Sequence, residues 1–240
     1  MQEDLRFCSH HEMMRAIELA AVRAELPLAY SQGFNPHPLM SLVCPRPVGV
    51  ASREELLILG LESAPPDEQA PSETAERLVA ALQGQAPRGL RFLRAEVLTG
   101  KAKPRPIRID YVLPLDDEQL SQVRQRLERL GRSDAWPVER LASVRGRRGA
   151  METRTIDIKP MIRQLTCRDG ELAWSAVPSG GTWARPSDVL RLLGLDERVA
   201  LARVIRIAVQ CDSRNDRACP DSNGEGGGAE GLANQDNQKR

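Results

Sequence analysis

The sequence predicts an α+β protein. It reads as two tandem ferredoxin-like (βαββαβ) halves, residues 1–100 and 101–210, followed by a disordered C-terminal tail, 211–240. Three observations lead there. In the first hundred residues the hydrophobic pattern runs strand, helix, strand, strand, helix, strand. A basic, proline-rich linker, Gly100-Lys-Ala-Lys-Pro-Arg-Pro106, then marks a boundary, and the same order recurs beyond it less cleanly. After Gln210 the composition turns to Gly, Asn, Asp, Gln and Ser, which cannot bury a core.

Leu5–Cys8 is a short strand candidate. Ser9-His10-His11-Glu12 matches the S-x-x-E capping box, in which serine and glutamate satisfy each other's backbone N–H groups. Met13, Ile17, Ala20, Ala21 and Ala24 then recur at helical spacing, so residues 10–25 read as an amphipathic helix that Pro27 stops. Ser31-Gln-Gly-Phe-Asn-Pro-His-Pro38 is turn chemistry: Gly33 tolerates positive φ, and Pro36 and Pro38 fix the backbone. The apolar runs Leu39–Cys44 and Glu55–Leu61 are strands, Ser72 caps a helix reaching about Leu82, and Gly89–Leu98 reads as the last strand of the first half.

In the second half Ile107–Leu115 alternates as a strand. Asp116 and Asp117 cap a helix over about 118–130, with Leu120, Val123, Leu127 and Leu130 on one face. Val138–Val144 and Thr153–Ile158 are further strands. Asp169-Gly170 turns a hairpin within Leu165–Trp174. Arg185-Pro-Ser-Asp188 opens a short helix to Leu193, capped by Gly194, and Ala202–Val209 is the closing strand.

Composition narrows the function. Lys+Arg is 34 against 33 Asp+Glu, a net charge of +1, which does not describe a general polyanion binder but leaves room for a local basic patch. Aromatics are 3%, so platforms for stacking bases are few. No run of about 18 apolar residues is present, so no membrane partner is expected. The five cysteines (Cys8, Cys44, Cys167, Cys211, Cys219) are odd in number, widely spread and without C-x-x-C spacing, which predicts a reduced, cytoplasmic protein. The first residues, Met1-Gln-Glu-Asp-Leu-Arg6, do not read as a secretory signal. Phosphate-loop and dinucleotide fingerprints are missing, and no cofactor is expected.

The chemistry-bearing residues concentrate near the N-terminus. His10, His11, Glu12 and Arg15 sit at or near a helix start, where free N–H groups favour an anion. Arg15 lies one turn beyond His11 on the same face. The Asn35-Pro-His37 turn adds polar groups. Ser9 and Glu12 have a plain capping role as well, and Gly33, Pro36 and Pro38 can serve only to shape the turn. A metal held by His10 or His11 with His37, Glu12, Cys8 or Cys44 is disfavoured because adjacent histidines at a helix start point about 100° apart. Two basic clusters stand apart, Lys101/Lys103/Arg105/Arg108 and Arg145/Arg147/Arg148, and either suits phosphate contacts or a solvated loop.

Arg6-Phe-Cys-Ser-His-His-Glu-Met-Met-Arg15, Leu26-Pro-Leu-Ala-Tyr-Ser-Gln-Gly-Phe-Asn-Pro-His-Pro38 and Arg46-Pro-Val-Gly49 together resemble the radical-SAM-associated domain of unknown function. That domain is found fused to the C-terminus of radical SAM proteins or as a stand-alone chain. The clear identity covers residues 5–50. Glu12 stands where the family often has Asp, and Cys8 takes a usually apolar position. The chain lacks the C-x-x-x-C-x-x-C signature of a radical SAM cluster, so the resemblance implies a separate radical SAM protein as partner. The leading expectation is a non-catalytic accessory protein that binds a substrate, with RNA the candidate, and presents it to that enzyme. The substrate-binding set is Arg6, Ser9, His10, His11, Glu12, Arg15, Tyr30, Gln32, Gly33, Asn35 and His37, with phosphate contacts from Lys101, Lys103, Arg145, Arg147 and Arg148. Two alternatives stay open: an RNA-cleaving or hydrolytic enzyme using His10, His11 or His37 as acid or base, and a pure protein-interaction module.

Overall fold

A computed structural model of the chain describes residues 3–62, 71–98, 100, 103–143 and 149–212. The expected tail starts at residue 211, but Cys211 ends the last strand of the sheet; residues 213–240, 144–148 and Lys101 lie outside the described residues. The α+β class holds. Helices α1 (His10–Arg23) and α2 (Pro71–Gly84) flank three short strands, β1 (Met40–Leu42), β2 (Ala51–Ser52) and β3 (Leu57–Leu59). The remainder runs β4 (Pro106–Pro114), α3 (Asp117–Gly131), β5 (Pro137–Ser143), β6 (Met151–Asp157), β7 (Ile162–Arg168), β8 (Glu171–Ala176), α4 (Pro186–Leu193), α5 (Glu197–Ala200) and β9 (Ile205–Cys211).

The second half builds the ferredoxin-like sheet. Its four long strands lie in the order β9–β4–β8–β7, all antiparallel, and β5–β6 form a separate hairpin inserted between α3 and β7. Alternation on β4 sends Ile109, Tyr111 and Leu113 to one face. There they meet Val123 and Leu130 of α3 and Leu190 and Leu193 of α4 in the main core. Tyr111 faces Trp174 across the ladder, and their rings stack at 5.1 Å between centroids. The hairpin is tied down through Arg140, whose Nε donates to Asp188 Oδ1 at 3.0 Å inside the core.

The first half departs from the expected repeat. Leu5–Cys8 is not a strand: Glu3–Phe7 forms a 3₁₀ helix, and its Leu5 and Arg6 carbonyls accept from the Arg46 guanidinium instead of from a neighbouring strand. Gly89–Leu98 is not a strand either. Leu90 and Phe92 do anchor it in the packing around α1, which is why the segment alternates, but the Phe92 N–H donates to the Gln83 side chain at 2.9 Å. β1 and β3 pair antiparallel as a two-stranded sheet. β2, which the sequence pattern does not mark, leaves that sheet and pairs in parallel with β9, Ala51 opposite Ile205 and Ser52 opposite Arg206.

Tyr111 gives the fold a measurable alkaline limit. Burial pushes its hydroxyl up to about 12, with nearby Arg206 pulling the other way. The folded value lies above the unfolded one, so the stabilisation is complete below the unfolded value near 10 and is lost as pH rises toward 12. Roughly 3 kcal/mol of stability is expected to disappear across that window. Urea titrations at pH 9 and 11.5 check this. Tyr111→Phe must remove most of the difference, and an equal pH dependence in that variant would contradict the assignment.

Candidate functional site

α1 begins as its sequence dictates. The Ser9 N–H donates to Glu12 Oε2 at 2.7 Å, and the Glu12 N–H donates to Ser9 Oγ at 3.3 Å. These bonds to Ser9 hold the exposed Glu12 carboxyl below the usual carboxylate range. Met13, Ile17, Ala20 and Ala21 face inward, which leaves His10, His11 and Arg15 outside. Arg15 pairs with Glu18 at 3.1 Å and is 62% exposed, so it remains available to a ligand at the surface. Arg6 is placed differently: it is half-buried and its Nη1 donates to the Ala202 carbonyl at 2.7 Å, bracing the N-terminus against the residues that lead into β9.

The second motif forms a braced loop. Tyr30 and Pro38 sit opposite each other in an antiparallel bridge. The Ser31 N–H donates to the His37 carbonyl at 2.8 Å, and the His37 N–H returns to Ser31 Oγ at 3.0 Å. Beneath this base, Gly60 lets the chain approach Leu39 closely; a Cβ on residue 60 would lie 3.0 Å from the Leu39 Cβ. Beyond the base the loop is open. Gln32, Gly33, Asn35 and His37 are all exposed, Gly33 has a φ of +147°, and Phe34 is 102% exposed. Tyr30 is 42% exposed at the foot of the loop. Among the described residues, no hydrogen bond engages the side chains of Gln32, Asn35 or His37.

The two motifs are not bonded to one another among the described residues. The α1 start opens instead onto a small cavity lined by Cys8, His10, Met13, Leu42, Arg46 and Glu55, and His37 is not part of it. His10 and His37 therefore do not share this cavity. Arg46 and Glu55 were not in the expected site. Their signals in the sequence were slight: a charged residue opening an otherwise apolar strand, and an arginine between two prolines. Burial pulls the Arg46 guanidinium below its ordinary value, with Glu55 opposing. Burial likewise pushes the Cys44 thiol up.

Of the basic clusters, Lys103 is exposed and Arg108 is paired with Asp110 at 2.7 Å. Lys101, Arg145, Arg147 and Arg148 lie outside the described residues. No group of three or more His, Cys, Asp or Glu among the described residues is placed to hold a metal ion. Nor is any described helix long and apolar enough to cross a membrane.

Residues 1–192 match the family described as an uncharacterized protein conserved in bacteria, DUF2344. The chain belongs to that family. No curated protein and no solved structure matches it. In this DUF2344 member the matched stretch holds both motifs and stops within α4, one strand short of completing the sheet, because β9 lies at 205–211.

Proposed function

We propose that this DUF2344 protein is a non-catalytic accessory protein of the cytoplasm. It binds RNA as a substrate and presents it to a separate radical SAM enzyme. One observation carries the reading. The 31–37 loop is fastened at its base, while its tip holds a fully exposed Phe34 among exposed Gln32, Asn35 and His37. The fold gains little from those side chains, since none of them enters a core cluster. A fully exposed aromatic at a loop tip suits stacking on an unpaired base, with amide and imidazole groups beside it to read the base's edges. Arg15 and Lys103 supply phosphate contacts, as do Lys101, Arg145, Arg147 and Arg148 by their sequence. The radical SAM partner rests on the resemblance carried by the RFCSHHEMMR and YSQGFNPHP segments.

Phe34→Ala tests the loop directly. Stability should change by less than about 0.5 kcal/mol, since nothing packs on the ring. Affinity for single-stranded RNA should fall roughly 5- to 100-fold, the range for one lost stacked base. The cellular test compares wild type with His37→Ala/Arg15→Ala after ultraviolet crosslinking. Crosslinked RNA that vanishes in the double variant supports the reading. RNA absent from both, with a radical SAM protein still co-purifying, would replace it with a protein-docking module.

A further inference from the structure

The cavity at the α1 start carries an unusual polar imbalance. Among the described residues, three buried side-chain polar atoms have no hydrogen-bond partner: Arg46 Nε, Glu55 Oε1 and Trp174 Nε1. Two of these three belong to residues that line this one cavity. The remaining atoms of both side chains are already used. Arg46 Nη1 donates to the Arg6 carbonyl at 2.7 Å and to the Val50 carbonyl at 3.0 Å, and Nη2 donates to Leu5. Glu55 Oε2 accepts from Arg206, and the Glu55 side chain is only 9% exposed. A buried polar atom of a charged group is costly to leave unpaired, so the pair calls for an occupant.

The interior measures about 10 Å³, room for about one water-sized group. The exposed His10, the first residue of α1, is part of its lining. The occupant has to accept from Arg46 and donate to Glu55. A phosphate or carboxylate would meet the Glu55 charge, and an ammonium would meet the Arg46 charge. A neutral group that both donates and accepts satisfies the two together.

We propose that this cavity is a hydroxyl slot: one substrate hydroxyl donates to Glu55 Oε1 and accepts from Arg46 Nε–H. The assignment rests on the RNA reading above and sharpens it, because RNA offers such a group in two places, the internal 2′-hydroxyl and the terminal 3′-hydroxyl. The slot then makes the protein a reader of ribose.

The test uses the full chain and three labelled 12-nucleotide single strands of one sequence: RNA, its all-2′-deoxy counterpart, and RNA ending in a 3′-deoxynucleotide. Anisotropy should show roughly ten-fold weaker binding to one deoxy strand, as expected for one charge-assisted hydrogen bond, and the affected strand identifies the hydroxyl. Cys8→Leu fills the cavity while sparing the Glu55–Arg206 ion pair and the Arg46 hydrogen bonds, and should bind all three strands equally. Cys8→Ser keeps the space and should keep the preference, and thermal melting confirms that both variants fold. Equal wild-type affinity for the three strands overturns the slot and leaves the loop reading intact. The Arg46 Nε–H resonance provides a readout that needs no oligonucleotide. If millimolar adenosine shifts it and 2′,3′-dideoxyadenosine does not, the slot stands even if no strand binds, and the RNA reading falls. A resonance unmoved by either nucleoside means that the cavity holds water only, and the proposal fails.

Discussion

Asp188→Ala is expected to lower the unfolding free energy by about 3–5 kcal/mol, the cost of stranding a buried charge. Asp188 is fully buried and Arg140 is 6% exposed. The Asp188 carboxylate accepts from Arg140 Nε and Nη2, and Oδ2 also takes the Arg185 N–H at 2.6 Å where α4 begins. Arg140 further donates to the Trp183 carbonyl at 2.7 Å. The alanine removes the carboxylate that faces the buried Arg140 guanidinium, and with it the acceptor for the Arg185 N–H at the start of α4. The β5–β6 hairpin rests on this bond, so its amides should exchange faster than those of β4 and β8. Equilibrium denaturation checks the first effect and hydrogen exchange the second. Arg140→Met/Asp188→Leu should recover much of the loss, since the pair owes its value to being intact and not to its charge. A single-variant loss below about 1 kcal/mol would mean that water reaches the pair.

Arg206→Met should cost a similar amount, again about 3–5 kcal/mol, because it too leaves a buried charge without its partner. Arg206 is fully buried on β9, yet its guanidinium serves the first half of the chain. Nη1 donates to the Cys44 carbonyl at 2.7 Å, Nη2 to Glu55, and Nε to Ser52 Oγ at 3.4 Å. Methionine fills most of the volume but leaves Glu55 charged and unpaired beside Arg46. The loss should appear first as loosening of β1 and β3, with the Tyr111–Trp174 stack retained. Near-ultraviolet dichroism that collapses together with β1–β3 protection would show instead that the two halves unfold as one unit.

Much of this architecture is legible in the residues. The capping box at Ser9/Glu12, the Asp116 cap, the Asp169-Gly170 turn and the Gly194 cap are local chemistry, and each lies where its pattern places it. The alternation of β4 gave its buried face, since a strand with one wet side writes its burial into every second residue. What the pattern could not reveal depends on distant partners. Leu5–Cys8 looks extended until Arg46 captures its carbonyls, and Gly89–Leu98 alternates without any strand to join. Two-residue β2 has no periodicity to read, because its place depends on an edge supplied about 150 positions later. The site divides in the same way. The 31–37 loop was evident as a run of turn formers and polar groups, whereas Arg46 and Glu55 acquire meaning only when Arg206 comes up beside them.

The parallel pairing of Ala51 with Ile205 also fixes an order of events during synthesis. At the ribosome the amino-terminal segment emerges first, with both of its sequence motifs complete. Its buried carboxylate at Glu55 nevertheless has to wait for Arg206, and Arg6 has to wait for the Ala202 carbonyl. The nascent chain therefore carries the whole 31–37 loop on an unfinished support until β9 has been translated. Contacts this distant in sequence slow folding and prolong exposure of unpaired surface. A ribosome stalled before residue 205 would hold a chain that displays its loop but cannot close its sheet.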